Sequence, residues 1–304
     1  MELIKPHTNI DFVGHRHLAM GISWVLILVG LASLVIKGGP EFGIDFAGGT
    51  LVQVKFASST DATQVRGALG KLALRGLSIQ QFGDQPTEFL IKAQESSDKL
   101  EVVSQRVKAT LEESYGAGKV EVRRTEMVGP QVGKELREKA AWAVLFSIIG
   151  MLVYITFRFE LRFGFGAVVA LVHDVLITLG AFSLLNKEID LTIVAAFLTI
   201  VGYSMNDTVI VCDRIRENMG RHSKEKIDWI INRSINDTLS RTVITSGVTL
   251  LSVIALYVFG GEVLRNFAFA MIVGIIVGTH SSIFVASPVI LYLDSFKARR
   301  AEAK

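Results

Sequence analysis

Apolar residues gather in six runs: residues 18–36, 140–157, 163–185, 191–212, 242–261 and 267–293. A helix crossing the hydrocarbon core needs about 20 predominantly apolar residues, so each run predicts a transmembrane helix. One run precedes residue 37 and five follow residue 139. The polar stretch between them, residues 37–139, predicts a soluble domain inserted between helices 1 and 2. The first run is not a cleaved secretory signal. Its apolar core of 19 residues is too long, and Ile36-Lys37-Gly38-Gly39-Pro40 offers no small-x-small cleavage site.

The period changes inside the inserted stretch. LVQVKF (51–56) alternates as a strand does. DATQVRGALGKLAL (61–74) places Val65, Leu69 and Leu72 on one helical face, with Thr60 or Asp61 as cap. LSIQQF (77–82) and EFLIKA (88–93) predict two strands around the turn GDQPT. Residues 96–116 predict a helix capped by Ser96 or Ser97, lined by Leu100, Val103, Val107 and Leu111, and ended by Gly116. KVEVRRTEM (119–127) predicts a closing strand. The order βαββαβ is that of a ferredoxin-like α+β domain.

FGIDFAGGT (42–50) joins the first span to this domain. Its glycines do not make a phosphate cradle, because β-branched strand residues follow them and no Lys-Ser/Thr pair closes the motif. They predict a tight turn where the chain leaves the membrane.

Lysine and arginine set the orientation. With the N-terminus inside, the inside segments 1–17, 158–162, 213–241 and 294–304 carry 2, 2, 7 and 4 basic residues. The short outside loops 186–190 and 262–266 carry only Lys187 and Arg265. Both termini are therefore expected inside and the soluble domain outside. Within 213–241, Ser223 is a candidate cap, and Ile227, Ile230, Ile231, Ile235 and Leu239 share one face. This predicts an amphipathic helix along the membrane surface.

Charged groups in the runs are the candidate chemistry. A carboxylate at a bilayer centre costs at least roughly 2.5–3.5 kcal/mol, so it usually faces the bundle interior and has a task. Asp207 lies in the fourth run beside Asn206, with Tyr203 and Ser204 one turn earlier. His173 and Asp174 occupy the middle of the third run, although neighbours in sequence point to different helix faces. Arg241 opens the fifth run and heads a polar stripe with Thr245, Thr249 and Ser252. Asp207 and Arg241 both lie toward the inside end of their spans and are expected to meet across a helix pair. A purely structural role, pairing that fixes helix packing, is the competing reading. Ala270, Gly274, Gly278, Ser282 and Ala286 recur every fourth residue in the sixth run, a small-residue stripe suited to close helix contact.

Composition narrows the partners. Half of the 304 residues are apolar, mean hydropathy is +0.44 and net charge is +3. That charge is too small, and too dispersed, to argue for nucleic acid. The single cysteine, Cys212, forms no internal disulfide and reads as packing. No metal site and no cofactor are expected.

FGIDFAGGT, His173-Asp174, GYSMNDTVIVCDRIREN (202–218), SRTVITSGVTL (240–250) and GTHSSIFVASP (278–288) together resemble the SecF family of bacterial protein-export membrane proteins, within the resistance-nodulation-division superfamily. His280 departs from the pattern, which has an aromatic residue there, usually Tyr. The resemblance implies a membrane subunit, not an enzyme, in the bacterial inner membrane with a periplasmic domain. It implies SecD as partner, the SecYEG channel as the machine assisted, and an unfolded preprotein as substrate, driven by the proton motive force. Asp207 then matches the essential membrane carboxylate and Arg241 its basic partner; SecD contributes a further aspartate. Other classes compete with this. A half-transporter for small molecules shares the six spans but calls for larger outside domains with a pocket. An intramembrane aspartyl protease requires Asp174 and Asp207 as a dyad. A passive scaffold tolerates the loss of the Asp207 charge.

Overall fold

The structure, a computed structural model, describes residues 8–83, 86–94 and 100–302. Six of its helices are long and apolar enough to cross a membrane. They are α1 (Arg16–Lys37), α5 (Pro130–Arg158), α6 (Leu161–Leu184), α7 (Leu191–Arg221), α8 (Ile227–Phe259) and the span from Leu264 to Phe296. That last span joins α9 (Gly261–Ser281), a π-helical turn at Ser282–Ala286 and α10 (Ser287–Glu302).

Between α1 and α5 lie a short helix α2 (Ile44–Ala47), β1 (Gly49–Phe56), α3 (Ala62–Leu69), β2 (Ser78–Gln81), β3 (Glu88–Ala93), α4 (Leu100–Tyr115) and β4 (Val120–Val128). The four strands make one antiparallel sheet in the order β2-β3-β1-β4. Alternation along β1 sends Val52, Val54 and Phe56 to the inner face, where they meet Val65 and Leu69 of α3 and Val103, Val107 and Leu111 of α4. Phe56 packs edge-on to Phe89, with ring centroids 5.7 Å apart. Asp61 caps α3 by accepting from the Gln64 amide at 2.8 Å. The cap expected at Ser96 or Ser97 lies outside the described residues.

The helices run further than hydropathy predicts. α5 begins ten residues before the apolar run at 140, directly after β4. The separate surface helix expected in 213–241 is not formed. α8 is one continuous helix of 33 residues, about 50 Å at 1.5 Å per residue. Ile231, Ile235 and Leu239 face the bundle core, beside Ile215 of α7 and Phe163 of α6, and Ile230 is buried as well. Their spacing is amphipathic, but protein rather than a membrane surface covers the apolar face. Asn232 and Asn236 on this segment bind the Phe12 and Ile10 amides, each at 2.9 Å, tying the residues before α1 to α8.

The FGIDFAGGT segment is a docked junction rather than a simple exit turn. Its backbone pairs with the loop before α7, Gly43 N to Ile189 O at 2.9 Å and Ile189 N to Glu41 O at 2.7 Å. Asp45 accepts from the Leu191 amide at 3.1 Å, and Asp190 accepts from the Ile193 amide at 3.0 Å. Two carboxylates thus serve the N-terminus of α7, where the helix dipole favours negative charge. Burial pushes the Asp190 carboxyl above the usual range, and the Ile193 amide opposes that. Gly48 adopts φ +75 and packs against Pro130, where a Cβ would lie 3.0 Å from the Pro130 Cα. The chain therefore enters and leaves the sheet domain at one point. Lys92 of β3 pairs with Glu188 at 3.3 Å, and Lys37 donates to Ser183 O and Asn186, fastening this end to the α6–α7 loop.

Glycines set the tightest helix crossings. A Cβ on Gly30 of α1 would fall 2.7 Å from the Cα of Gly180 on α6, so the two backbones touch. On α9, a Cβ at Gly274 would lie 2.4 Å from Ile200 of α7, and one at Gly278 would lie 3.0 Å from Ser204. Ala270, Ser282 and Ala286 are buried along the same line. In the π turn, Ser287 Oγ donates to the Ser282 carbonyl five residues back, at 3.0 Å.

Candidate functional site in the helix bundle

Helix α7 carries the polar centre because its interior face continues unbroken through Ile200, Ser204, Asp207, Thr208 and Val211, all buried. Asp207 is 1% exposed. Its Oδ2 accepts from Ser246 Oγ of α8 at 3.1 Å, and Thr279 Oγ1 of α9 donates to Ser246 Oγ at 2.8 Å. Its Oδ1 has no hydrogen-bond partner among the described residues. Two of the other buried oxygens that lack one lie close along the same helices: Tyr203 Oη, one turn before Asp207, and Thr242 Oγ1, one turn before Ser246.

Arg241 is exposed and makes no ion pair with Asp207 among the described residues. Its charge acts on the carboxylate at longer range. The guanidinium instead lines a cavity of about 430 Å³ at the end of the bundle away from the sheet, with Arg158, Asp213, Arg214, Glu217 and Asp237. Several of these are paired, Arg214 to Asp237 at 3.0 Å and to Glu217 at 2.7 Å.

The stripe Arg241–Thr245–Thr249–Ser252 does not face the site. Thr249 and Ser252 donate to their own helix, to the carbonyls of Thr245 and Val248. The buried hydroxyls of α8 are Ser234, Thr238, Thr242 and Ser246, one residue round the helix from that stripe. Asn206 is exposed on the outside of α7, whereas its neighbour Asp207 points in. Cys212 is buried among apolar side chains.

Asp174 and Asp207 do not form a dyad: no hydrogen bond joins them, and each carboxylate has its own partners. Asp174 Oδ1 lies 2.8 Å from His173 Nδ1, while Oδ2 accepts from Ser204 at 2.5 Å and from Ser281 at 2.9 Å. His173 and Asp174, adjacent on α6, turn their side chains together rather than apart. His173 Nε2 lies 2.9 Å from Ser23 Oγ of α1, and His280 stacks on the ring at 6.2 Å.

Sequence reasoning missed Ser246, Thr279, Ser281 and Ser23. For Ser246 the signal is present, since Thr238, Thr242 and Ser246 recur every fourth residue on α8. Ser23 is a lone hydroxyl in an apolar run and carries no such mark; Thr279 and Ser281 lie in the quoted segment GTHSSIFVASP, whose composition does not say which hydroxyls face a carboxylate.

The profile of "Protein export membrane protein SecD/SecF, C-terminal" matches residues 106–295, and that of the "SecD/SecF GG Motif" matches residues 33–60. The chain is 48% identical over 302 residues to the protein translocase subunit SecF of Calditerrivibrio nitroreducens, covering 98% of this chain and 99% of that one. It is also 48% identical over 307 residues to the subunit of the same name from Magnetococcus marinus, covering 100% and 98%. The crystal structure of SecDF, a translocon-associated membrane protein from Thermus thermophilus, superposes with a TM-score of 0.82 at 38% identity. That match covers 97% of this chain but spans only 40% of the longer SecDF chain.

Proposed function

The chain belongs to the SecD/SecF family of protein-export membrane proteins, and from that premise we propose that it is the SecF subunit of a SecD–SecF pair assisting the SecYEG channel. The pair uses the proton motive force to promote late steps of preprotein passage on the outer side of a bacterial inner membrane. Both termini lie inside, as the basic bias of the loops supports. The sheet domain, whose βαββαβ order and antiparallel pairing support a ferredoxin-like class, lies outside and meets the unfolded chain. SecD packs beside this bundle, and its own membrane aspartate approaches Asp207.

Asp207 is the proton-carrying group, and the observation that carries this reading is its half-satisfied carboxylate at 1% exposure. A buried polar atom without a partner is rare in folded proteins. Three within one turn of a single hydrogen bond mark a place for water or for groups of a second subunit. Arg241 is the counter-charge. It stands away from Asp207 in this arrangement and closes on it in another, so that protonation and helix packing are linked. One charge crossing about 150 mV supplies roughly 3–4 kcal/mol, enough to bias a two-state rearrangement strongly. α1 and α5 flank the sheet domain, and their shifts swing it.

The reading is tested by export in cells carrying Asp207→Asn together with copurification of SecD. Retained SecD and lost export are expected. Normal export by this variant refutes the assignment and favours a passive scaffold.

A further inference from the structure

A second carboxylate lies deeper and is differently built. Asp174 is 0% exposed, and both its oxygens are engaged, by His173 Nδ1, Ser204 and Ser281. When Asp174 is ionised its carboxylate only accepts, so His173 Nδ1 carries the hydrogen between them and Nε2 is left facing Ser23 Oγ at 2.9 Å. Among the described residues, the polar and titratable groups facing the pair are Ser23 from α1, Ser204 from α7, and His280 and Ser281 from α9. No lysine or arginine among them pairs with Asp174. An ionised Asp174 beside a neutral His173 therefore leaves one uncompensated negative charge in a dry interior. One added proton makes the pair neutral overall, whether as imidazolium with carboxylate or as imidazole with carboxylic acid.

We propose that His173 and Asp174 form a second proton-holding site, distinct from Asp207, in which the two side chains share one exchangeable proton. At rest Nε2 and Ser23 line an apolar cavity of about 280 Å³ between α1 and α6, so on unloading Nε2 gives its proton to a water admitted only when that contact opens. The ring keeps Nδ1–H on Asp174, and the Ser23 hydroxyl turns from acceptor to donor. His280 stacks on His173 but makes no hydrogen bond to a carboxylate among the described residues, so the exchangeable proton belongs to the His173–Asp174 pair. The position is mechanically apt. Ser23 belongs to α1, which leads into the sheet domain, and Ser204 lies one turn before Asp207 on α7. Gly278 lets α9 approach the serine that serves the carboxylate, since a Cβ there would come 3.0 Å from Ser204 Cβ and 3.2 Å from its Oγ.

The test is solid-state nitrogen NMR of the full chain, labelled on histidine and reconstituted in liposomes, from pH 5 to 9. His173→Gln identifies the resonance. The native His173 ring is expected to titrate in a step that Asp174→Asn shifts by at least a full pH unit or abolishes, and that Asp207→Asn leaves in place. A ring holding one protonation state from pH 5 to 9, or a step that Asp174→Asn does not move, overturns the proposal. If Asp174→Asn does not fold, Ser204→Ala, which removes one donor and keeps both titrating groups, must move the same step; an unmoved step again overturns it. Since Asp207→Asn is an arm of this experiment, failure of the second site and failure of the Asp207 assignment are read separately.

Discussion

The Ser246 hydroxyl reaches across the α7–α8 interface to the Asp207 carboxylate, Oγ to Oδ2, at 3.1 Å. Arg241, more than one turn away on α8, lines the cavity beyond it. The resting partner of the acid is therefore a neutral hydroxyl, itself held by Thr279 of α9.

Removing that hydroxyl isolates the carboxylate. A hydrogen bond to a charged group contributes about 1.5–3 kcal/mol. Ser246→Ala is expected to lower proton-dependent export at least tenfold while the protein still inserts in the membrane. Ser246→Thr keeps a donor and is expected to retain most activity. Export rates of the two variants, compared at equal protein level, check this.

Helix contact at α9 is set by the lack of a side chain. Gly274→Ala places a methyl group 2.4 Å from Ile200 and forces α7 and α9 apart. Overpacking of this kind costs about 1–3 kcal/mol. The obstacle is a side chain, so Ile200→Ala in the same molecule is expected to restore part of the loss. Thermal unfolding of the single and double variants measures the rescue.

How much of this the chain disclosed depends on the range of the interaction. Strand alternation in LVQVKF and helix periodicity in residues 61–74 and 96–116 are local, and among the described residues those elements form where the pattern places them, within a few residues. Six apolar runs became six helices for the same reason. Helix ends were less legible, because hydropathy marks the lipid-crossing part alone and α5 and α8 continue past it. The isoleucines of 227–239 announced an apolar face without saying what would cover it. Side-chain direction was least legible. Asn206 and Asp207 are neighbours of similar shape, yet one faces out and the other in. The choice of Ser246 over Arg241 depends on the rotation of α8 against α7, which no local pattern encodes.

The attachment of the sheet domain can be tested through its one described ion pair with the α6–α7 loop. Lys92 and Glu188 are largely shielded, at 16% and 26% exposure. Lys92→Glu is expected to lower stability by about 1 kcal/mol. The exchanged pair Lys92→Glu with Glu188→Lys is expected to recover most of it, as read by the thermal midpoint.

Gly48 and Pro130 are in contact, so the domain is inserted at a single point. Replacing residues 49–129 with a short Gly-Ser linker is expected to leave the helix bundle folded and in the membrane. Export is expected to be lost. Circular dichroism of the purified bundle and export in cells check the two halves of this expectation.

The most direct test of the coupling role is proton influx into liposomes containing the chain together with SecD and SecYEG, measured while an unfolded preprotein is present. Native protein is expected to admit protons in step with preprotein movement, and Asp207→Asn to abolish that influx with the complex still assembled. Undiminished influx through the Asp207→Asn complex would contradict the account.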